Sequence, residues 1–144
     1  MKTLQHILDD KKHKEVISIA PNRPVFDALI ILAEYKIGAL AVVQNDQLVG
    51  IFSERDYARE VILQGRSSKT TQVKQVMTHK VITGKFEDTV ESALALMSEK
   101  HIRHLPVVES GIMVGMLSLG DLVKETIAYQ QRLIKELESY IRGK

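Results

Sequence analysis

The stretch that decides the fold is IGALAVVQNDQLVGIFSERD, residues 37–56, because it returns as IRHLPVVESGIMVGMLSLGD at residues 102–121. At this offset of 65 residues, positions 16–57 lie over positions 81–122 without a gap, and 14 of the 42 aligned positions are identical. Composition alone would give roughly two to four identities in such a window. The chain is therefore an internal duplication of one structural unit.

Each copy carries the same order of secondary-structure signals. A short β run (VISIA or VITGK) precedes an amphipathic helix, two β runs follow across the turn-like QNDQ or ESGI, and a second helix ends the unit. Such a β-α-β-β-α unit is too small to be stable alone, so two copies are expected to bury their sheet faces on each other about a pseudo-twofold axis. The sequence predicts an α+β (mixed α/β) fold. Its predicted parts are repeat 1 at 1–66 (core 16–64), repeat 2 at 67–128 (core 81–125) and a C-terminal helical extension at 129–144.

A short helical segment is predicted ahead of each copy, TLQHIL at 3–8 and QVKQVM at 72–77. These segments align at an offset of 69, because the first copy carries four extra residues around DDKKHK. We expect the extra residues to lengthen an exposed loop.

The bulk composition excludes several classes of protein. The 20 basic and 18 acidic residues are interspersed, and a net charge of +2 gives no electrostatic basis for binding nucleic acid. No apolar run approaches the roughly 20 residues of a membrane span, and the N-terminus lacks the apolar core of a secretory signal. The absence of cysteine excludes disulfide and thiolate chemistry. We therefore expect a cytoplasmic protein that binds neither nucleic acid nor a membrane.

The two quoted stretches, with the VKQVMT segment at 73–78 that commonly opens a repeat, resemble the tandem cystathionine-beta-synthase (CBS) domain pair, or Bateman module. The resemblance covers nearly the whole chain and is closest to small stand-alone bacterial members. It implies a non-catalytic regulatory module that binds adenosine-containing ligands in clefts between the repeats and reports energy or cofactor state. AMP is the leading ligand, ADP, ATP, NAD and S-adenosylmethionine are alternatives, and no metal is required. The resemblance also implies a homodimer and a protein partner of unknown identity. The alternative is an interaction or dimerisation module with vestigial clefts.

The resemblance places Ser53 and Asp56, and their equivalents Ser118 and Asp121, against the ribose and phosphate of the ligand. An ionised carboxylate can accept hydrogen bonds from both cis-hydroxyls of a ribose, which suits the two aspartates to this role. The alternative is structural, because serine is a good N-cap and an acidic residue three positions later completes a capping box. Both roles can coexist in the same residues.

Adenine would need a flat apolar slot, and the strand residues two positions before each serine are suited to form one. Gly50 and Gly115 would allow the strand backbone a close approach there. Each slot would combine a strand residue, a wall residue and a first-strand isoleucine of the opposite repeat. The slot candidates are Ile51, Met116, Ile37, Ile102, Ile17 and Ile82.

Phosphate groups need donors, and Arg103 and His104 supply them where the first repeat has Gly38 and Ala39. In similar modules, basic residues at these two positions reach the phosphates. Gly38 is also a candidate ligand contact. The alternative is that Arg103 and His104 are exposed edge-strand charges.

Arg55 and Lys80 add positive charge near Asp56 only. The alternative for Arg55 is a surface ion pair with Glu54 or Glu60. We therefore expect the Asp56 cleft to prefer a more highly phosphorylated or dinucleotide ligand, and the second cleft a monophosphate.

Neither a metal site nor a catalytic site is expected. The histidines His13, His79, His101 and His104 have no cysteine and no carboxylate at ligand spacing. The sequence contains no GxGxxG or GxxxxGK[ST] motif, and no Ser, His and Asp set stands in a recognisable catalytic context. The protein is thus predicted not to be an enzyme.

The C-terminal stretch LVKETIAYQQRLIKELESYI, residues 122–141, repeats isoleucine every seven residues, at Ile127, Ile134 and Ile141. Two interpretations fit this pattern. The helix either packs back on its own sheet or forms a dimer contact or docking surface.

Overall fold

A computed structural model describes residues 2–11 and 16–143, so part of the DDKKHK segment lies outside the described residues. The predicted mixed α/β architecture is confirmed. In chain order the elements are α1 (Leu4–Asp10), β1 (Ser18–Ile19), α2 (Val25–Tyr35), β2 (Ala39–Gln44), β3 (Gln47–Ser53), α3 (Glu54–Asp56), a π-helical segment (Tyr57–Ile62), α4 (Val73–Val76), α5 (Val90–Lys100), β4 (His104–Glu109), β5 (Ile112–Ser118) and α6 (Leu119–Ile141).

The chain divides into two compact units, named here after their aspartates. The Asp56 unit contains residues 15–82 and 110–114, and the Asp121 unit contains residues 1–14, 83–109 and 115–144, within the described part of each range. Each unit thus combines the body of one sequence repeat with the leading helical segment of the other. The segment α1 belongs to the Asp121 unit, and α4 belongs to the Asp56 unit.

The Asp56 unit is built on a three-stranded sheet in the order β1-β2-β3. The strand β2 pairs parallel with β1 and antiparallel with β3, across a turn in which Asn45 and Asp46 both have positive φ. Two-residue turns of this kind match the twist of the flanking strands. The helix α2 packs on β2. The core residues of this unit are Ile19, Val25, Ala28, Leu32, Leu40, Val42, Phe52, Val61, Val73 and Val76.

The Asp121 unit contains the strand β4 and residues 115–118 of β5, and its helices α1 and α5 pack on α6. The strand predicted at residues 81–85 is reduced to a parallel bridge between Gly84 and Val107. Gly84 N donates to Pro106 O at 2.8 Å and Val108 N donates to Gly84 O at 2.9 Å, so the pairing goes through one residue only. The buried apolar residues of this unit are Leu4, Ile7, Val90, Ala93, Met97, Leu105, Val107, Leu117 and Leu122.

The leading segments pack against one glycine in each repeat. A Cβ added at Gly50 would lie 2.6 Å from Met77 Sδ, and one added at Gly115 would lie 2.5 Å from Leu8 Cδ2. Met77 and Leu8 are equivalent residues at the offset of 69. These glycines therefore make room for a side chain of their own unit, whereas we expected them to bring the strand backbone close to adenine.

The second helix differs between the two repeats. After Ser53 the chain forms the three-residue α3 and then the π-helical segment, whereas after Ser118 it forms the 23-residue α6. In the part of the chain that the structure describes, no helix combines the length and the apolar content needed to cross a membrane.

Candidate functional site

Asp56 lies where α3 begins, and Ser53 fixes the position of its carboxylate. Asp56 N donates to Ser53 Oγ at 3.2 Å, while Ser53 N (2.9 Å) and Ser53 Oγ (3.1 Å) donate to Asp56 Oδ2. The reciprocal backbone bonds form a capping box. The other carboxylate oxygen, Oδ1, accepts from Thr78 Oγ1 at 3.2 Å. Both oxygens of Asp56 are therefore bound by uncharged donors of the same unit.

Asp121 has the same cap but a different third partner. Asp121 N donates to Ser118 Oγ at 3.1 Å, and Ser118 N donates to Asp121 Oδ2 at 2.8 Å. Lys11 Nζ donates to the same Oδ2 at 3.0 Å and to Met116 O at 2.9 Å. The side chains of Lys11 and Asp121 are each 28% exposed, so this ion pair is largely shielded from water. The capping interpretation is confirmed at both motifs.

The carboxyl group of Asp56 is a weaker acid than an ordinary aspartate. Burial raises its pKa, and this effect exceeds that of the hydrogen bonds from Ser53 and Thr78, which act to lower it. The negative charge of Glu60 adds to the rise.

The carboxyl group of Asp121 behaves in the opposite way. Burial also acts to raise its pKa, but the hydrogen bonds from Ser118 and Lys11 and the positive charge of Lys11 together outweigh burial. The pKa of Asp121 is therefore lowered. The ammonium group of Lys11 is what distinguishes the environment of this carboxylate from that of Asp56.

In each repeat, the residue after the capping serine is hydrogen-bonded through its backbone to the residue just before β2 or β4. Glu54 N donates to Gly38 O at 3.1 Å, and at the equivalent position Leu119 N donates to Arg103 O at 2.8 Å. The backbone of Arg103 therefore lies beside the first turn of α6. Its neighbour, the half-buried His104, belongs to the same unit.

The predicted basic contacts Arg55, Lys80 and Arg103 are exposed side chains. None of the three forms a salt bridge with any residue in the ranges 2–11 and 16–143. The alternative ion pair between Arg55 and Glu54 or Glu60 is therefore not formed within those ranges. The role of these cations in phosphate binding stays a prediction.

The apolar slot candidates are all half-buried, so part of each side chain is accessible. Ile51 lies next to the fully buried Phe52, and its backbone is bridged to Thr78 by N–O distances of 3.0 and 2.8 Å. Ile17 and Ile37 contact the core of the Asp56 unit. Ile17, Ile37, Ile51 and Ile82 belong to the Asp56 unit, and Ile102 and Met116 belong to the Asp121 unit. Their assembly into adenine slots stays a prediction.

Two residues of these sites, Lys11 and Thr78, go beyond the candidates found in the sequence. Thr78 ends the VKQVMT segment, so a hydroxyl group in that segment was a usable signal. Lys11 is the equivalent of Lys80 at the offset of 69. The lysine predicted beside Asp56 thus has a counterpart that is bound to Asp121.

Within the described residues, no group of three or more His, Cys, Asp or Glu side chains is arranged to hold a metal ion. His79 and His101 are exposed, and His13 lies outside the described residues. That the protein requires no metal stays a prediction.

A family model described as CBS domain matches this chain twice, at residues 11–63 and 73–127. Among curated proteins, the mitochondrial CBS domain-containing protein CBSX3 of Arabidopsis thaliana is 41% identical over 124 residues, which cover 83% of this chain and 60% of CBSX3. The chain thus spans less than two thirds of that relative.

Two solved structures resemble this chain over most of its length. A protein with CBS domains from Burkholderia ambifaria has a TM-score of 0.85 and 44% identity, covering 88% of this chain and 95% of its own. The CBS domain pair of protein MJ0100, solved in complex with 5′-methylthioadenosine and S-adenosyl-L-methionine, has a TM-score of 0.80 and 25% identity, covering 90% of this chain and 98% of its own.

Proposed function

The chain belongs to the CBS-domain family and carries two CBS domains in tandem, and from that premise we propose that it is a non-catalytic regulatory module for adenosine-containing ligands. The MJ0100 pair, solved with two adenosine-derived ligands, supports this ligand class. AMP is the leading candidate, and ADP, ATP, NAD and S-adenosylmethionine are the alternatives.

The observation that carries the proposal is the pair of half-buried carboxylates, Asp56 and Asp121, each oriented by a serine in a capping box. A carboxylate held in this way is oriented before a ligand arrives, so less conformational entropy is lost on binding. Ribose hydroxyls are donors that suit both oxygens of such a group. The cap and the ribose contact are therefore compatible roles of one aspartate.

The two sites offer a ribose different starting conditions. At Asp56 a ribose hydroxyl would replace the hydroxyl of Thr78, which exchanges one uncharged donor for another. At Asp121 a ribose hydroxyl that binds Oδ2 would compete with the ammonium group of Lys11, which makes a stronger, charge-assisted bond to that oxygen. We infer that a given nucleoside binds more tightly at Asp56 than at Asp121.

The exposed cations are proposed to select the phosphate groups. Arg55 and Lys80 lie in the Asp56 unit, and their two charges favour a more highly phosphorylated or dinucleotide ligand there. In the Asp121 unit, Arg103 and His104 would hold a monophosphate, and a Lys11 released from its carboxylate would add a further donor.

A ligand that binds one conformation of the module more tightly than another shifts the population toward that conformation. We propose that a protein partner reads this shift, and that the module acts in the cytoplasm as a homodimer. The partner and the activity of the whole assembly are proposals, because the chain covers only 60% of its relative CBSX3.

Calorimetric titration of AMP, ATP, NAD and S-adenosylmethionine tests the proposal directly. The wild-type protein is compared with Asp56→Ala and Asp121→Ala. Each substitution should weaken at least one ligand by tenfold or more, equivalent to about 1.4 kcal/mol. The two variants should affect different ligands or different binding steps, which assigns the sites.

The matched control is Asp27→Ala, since Asp27 is an aspartate in the first turn of α2 whose carboxylate pairs with exposed Arg23. It should leave every titration unchanged, and far-UV circular dichroism should confirm that all three variants fold. If no ligand binds to the folded wild-type protein at millimolar concentration, the proposal is wrong.

A second candidate is an interaction module with vestigial clefts. It is favoured by one observation, that both carboxylates already have partners within their own units. In that case, truncation after about residue 128 should abolish capture of a partner protein, while nucleotide has no effect on capture.

A further inference from the structure

The helix α6 exposes a continuous apolar stripe. Near its N-terminal end the helix carries the buried Leu122, and it packs on α5 and α1 of the Asp121 unit. The exposed apolar residues of α6 are Val123 (42%), Ile127 (50%), Leu133 (39%), Ile134 (54%), Leu137 (60%), Tyr140 (80%) and Ile141 (79%).

The stripe has the spacing of a coiled-coil seam. Three isoleucines occupy one heptad position at intervals of seven residues, and Val123 and Leu137 occupy the other with Gln130 between them. A seam of this kind packs best against a helix of matching spacing, because each side chain fits between side chains of the facing helix. A second copy of α6 supplies that spacing.

We propose that α6 pairs antiparallel with α6 of a second copy of this chain. Ile127 then packs opposite Leu137 of the partner subunit. Ile134 lies opposite Gln130 of the partner subunit, and Ile141 lies opposite Val123 of the partner subunit. The overlap runs from residue 123 to residue 141 and is about 28 Å long at 1.5 Å per residue.

Charge complementarity determines the direction. Lys124 and Glu138 flank the seam on the same side, near opposite ends of the helix, and both are exposed. In the antiparallel arrangement Lys124 lies opposite Glu138 of the partner subunit, and the symmetric pair forms at the other end. In a parallel arrangement Lys124 would lie opposite Leu119 of the partner subunit and Glu138 opposite Leu133 of the partner subunit, so neither charge would be paired.

The other flank of the seam is apolar. In the same alignment Leu133 meets Leu133 of the partner subunit at the twofold axis, and Thr126 lies opposite Tyr140 of the partner subunit. The two most exposed apolar residues of α6, Tyr140 and Ile141, are both covered in this way. The inference deepens the proposed homodimer by naming its contact, and it does not depend on nucleotide binding.

The first experiment is multi-angle light scattering and sedimentation equilibrium on the full chain without nucleotide. The wild type should be a dimer at micromolar concentration, and Ile134→Glu should raise the dimer dissociation constant at least tenfold. The matched control is Ile112→Glu, which places the same charge at an isoleucine that is 59% exposed in β5. A monomeric wild type, or a folded Ile134→Glu protein that dimerises normally, overturns the proposal.

Cysteine cross-linking tests the direction, because the natural chain has no cysteine. Ile127→Cys and Leu137→Cys proteins, mixed and oxidised, should form a disulfide dimer that neither forms alone. Cross-linking of each variant with itself would show a parallel pair and overturn the proposal.

As a second variant, Lys124→Glu should weaken the dimer, and adding Glu138→Lys should restore it.

Titration of AMP into the Ile134→Glu protein separates this inference from the proposed function. Unchanged AMP affinity in a monomer supports the dimer contact and the ligand site independently. If the wild-type protein is a dimer but binds no nucleotide, the proposed function is contradicted while the α6 contact is supported.

Discussion

Asp56 and Asp121 occupy equivalent positions of a duplicated sequence, and each is held by the same serine cap. They differ in the third partner, which is the hydroxyl of Thr78 in one unit and the ammonium group of Lys11 in the other. The pKa is consequently raised at Asp56 and lowered at Asp121. Duplication has preserved the hydrogen-bonded cap of the site. The contact from Lys11, in place of a hydroxyl group, has reversed the direction of the pKa shift.

The largest difference in stability between the two units is expected at Gly50 and Gly115. A Cβ at Gly50 would meet Met77 Sδ at 2.6 Å and the backbone oxygen of Thr78 at 2.9 Å, whereas at Gly115 it would meet only the side chain of Leu8. A flexible side chain can move more easily than a backbone oxygen. Gly50→Ala should lower the free energy of unfolding by about 2–3 kcal/mol and Gly115→Ala by about 1–2 kcal/mol, measured by urea denaturation.

The control for these two variants is Gly120→Ala, where the nearest atom outside the local helix would be Ser118 Oγ at an ordinary 3.7 Å. This change should leave the free energy of unfolding unchanged or increase it, because alanine favours a helix over glycine. Equal losses at Gly50 and Gly115 would show that the two leading segments are packed alike.

Removal of each negative charge is expected to have the next largest effect. Asp121→Asn leaves Lys11 without its carboxylate and should lower the free energy of unfolding at pH 7 by about 1–2 kcal/mol. Asp56→Asn removes a charge that burial disfavours, so the loss should stay below about 1 kcal/mol. A greater loss for Asp56→Asn in urea denaturation would contradict the assigned difference in pKa.

The pH dependence of stability should have opposite signs at the two sites. The lowered pKa of Asp121 contributes stability above the unfolded value of about 3.9, and this is lost as the pH falls through the folded pKa. The raised pKa of Asp56 makes its ionised form cost stability, and that cost disappears as the pH falls toward about 4. Lys11 faces Asp121, and Glu60 acts on Asp56.

Urea denaturation between pH 3 and pH 7 measures both effects as differences between wild type and variant. The stability advantage of wild type over Asp121→Asn should shrink on acidification. On acidification, the wild type should become more stable relative to Asp56→Asn. Parallel curves for the two variants would refute the electrostatic distinction.

The smallest effect is expected for the equivalent lysines Lys11 and Lys80. Lys11→Met should lower the free energy of unfolding by about 0.5–1 kcal/mol through loss of its ion pair, and Lys80→Met should change it by less than about 0.5 kcal/mol. In a double-mutant cycle, Lys11→Met should be nearly neutral in the Asp121→Asn background. Full additivity would show that Lys11 and Asp121 do not interact.

The duplication made most of the fold predictable. Turns, paired strands and amphipathic helices recur at a constant offset, so each copy supports the assignment of the other. The capping boxes could also be predicted, because a serine and an aspartate three residues apart interact through local geometry alone.

Long-range contacts could not be predicted in the same way. Lys11 and Asp121 are 110 residues apart, and Lys11 lies outside the gapless repeat of residues 16–57, so its equivalence to Lys80 is found only with the second offset of 69. The strand predicted at 81–85 is shortened to a single bridge at Gly84. Strand pairing depends on neighbours in space, which the local composition does not reveal. Likewise, the π-helical turns at Tyr57–Ile62 have no distinct sequence period.

The exchange of leading segments has a consequence for how the chain acquires its structure during synthesis. Apart from residues 110–114, the Asp56 unit is one continuous stretch that is complete at residue 82. In the Asp121 unit, by contrast, Leu4 N donates to Asp88 O and Val90 N donates to Lys2 O, which closes a loop of more than 80 residues. Contacts of such separation form late, since the entropy of loop closure is lost before they stabilise the chain. The helix α1 precedes the Asp56 unit in the chain and is thus expected to dock after that unit has folded, and the contact between Lys11 and Asp121 can form only after residue 121 has been synthesised.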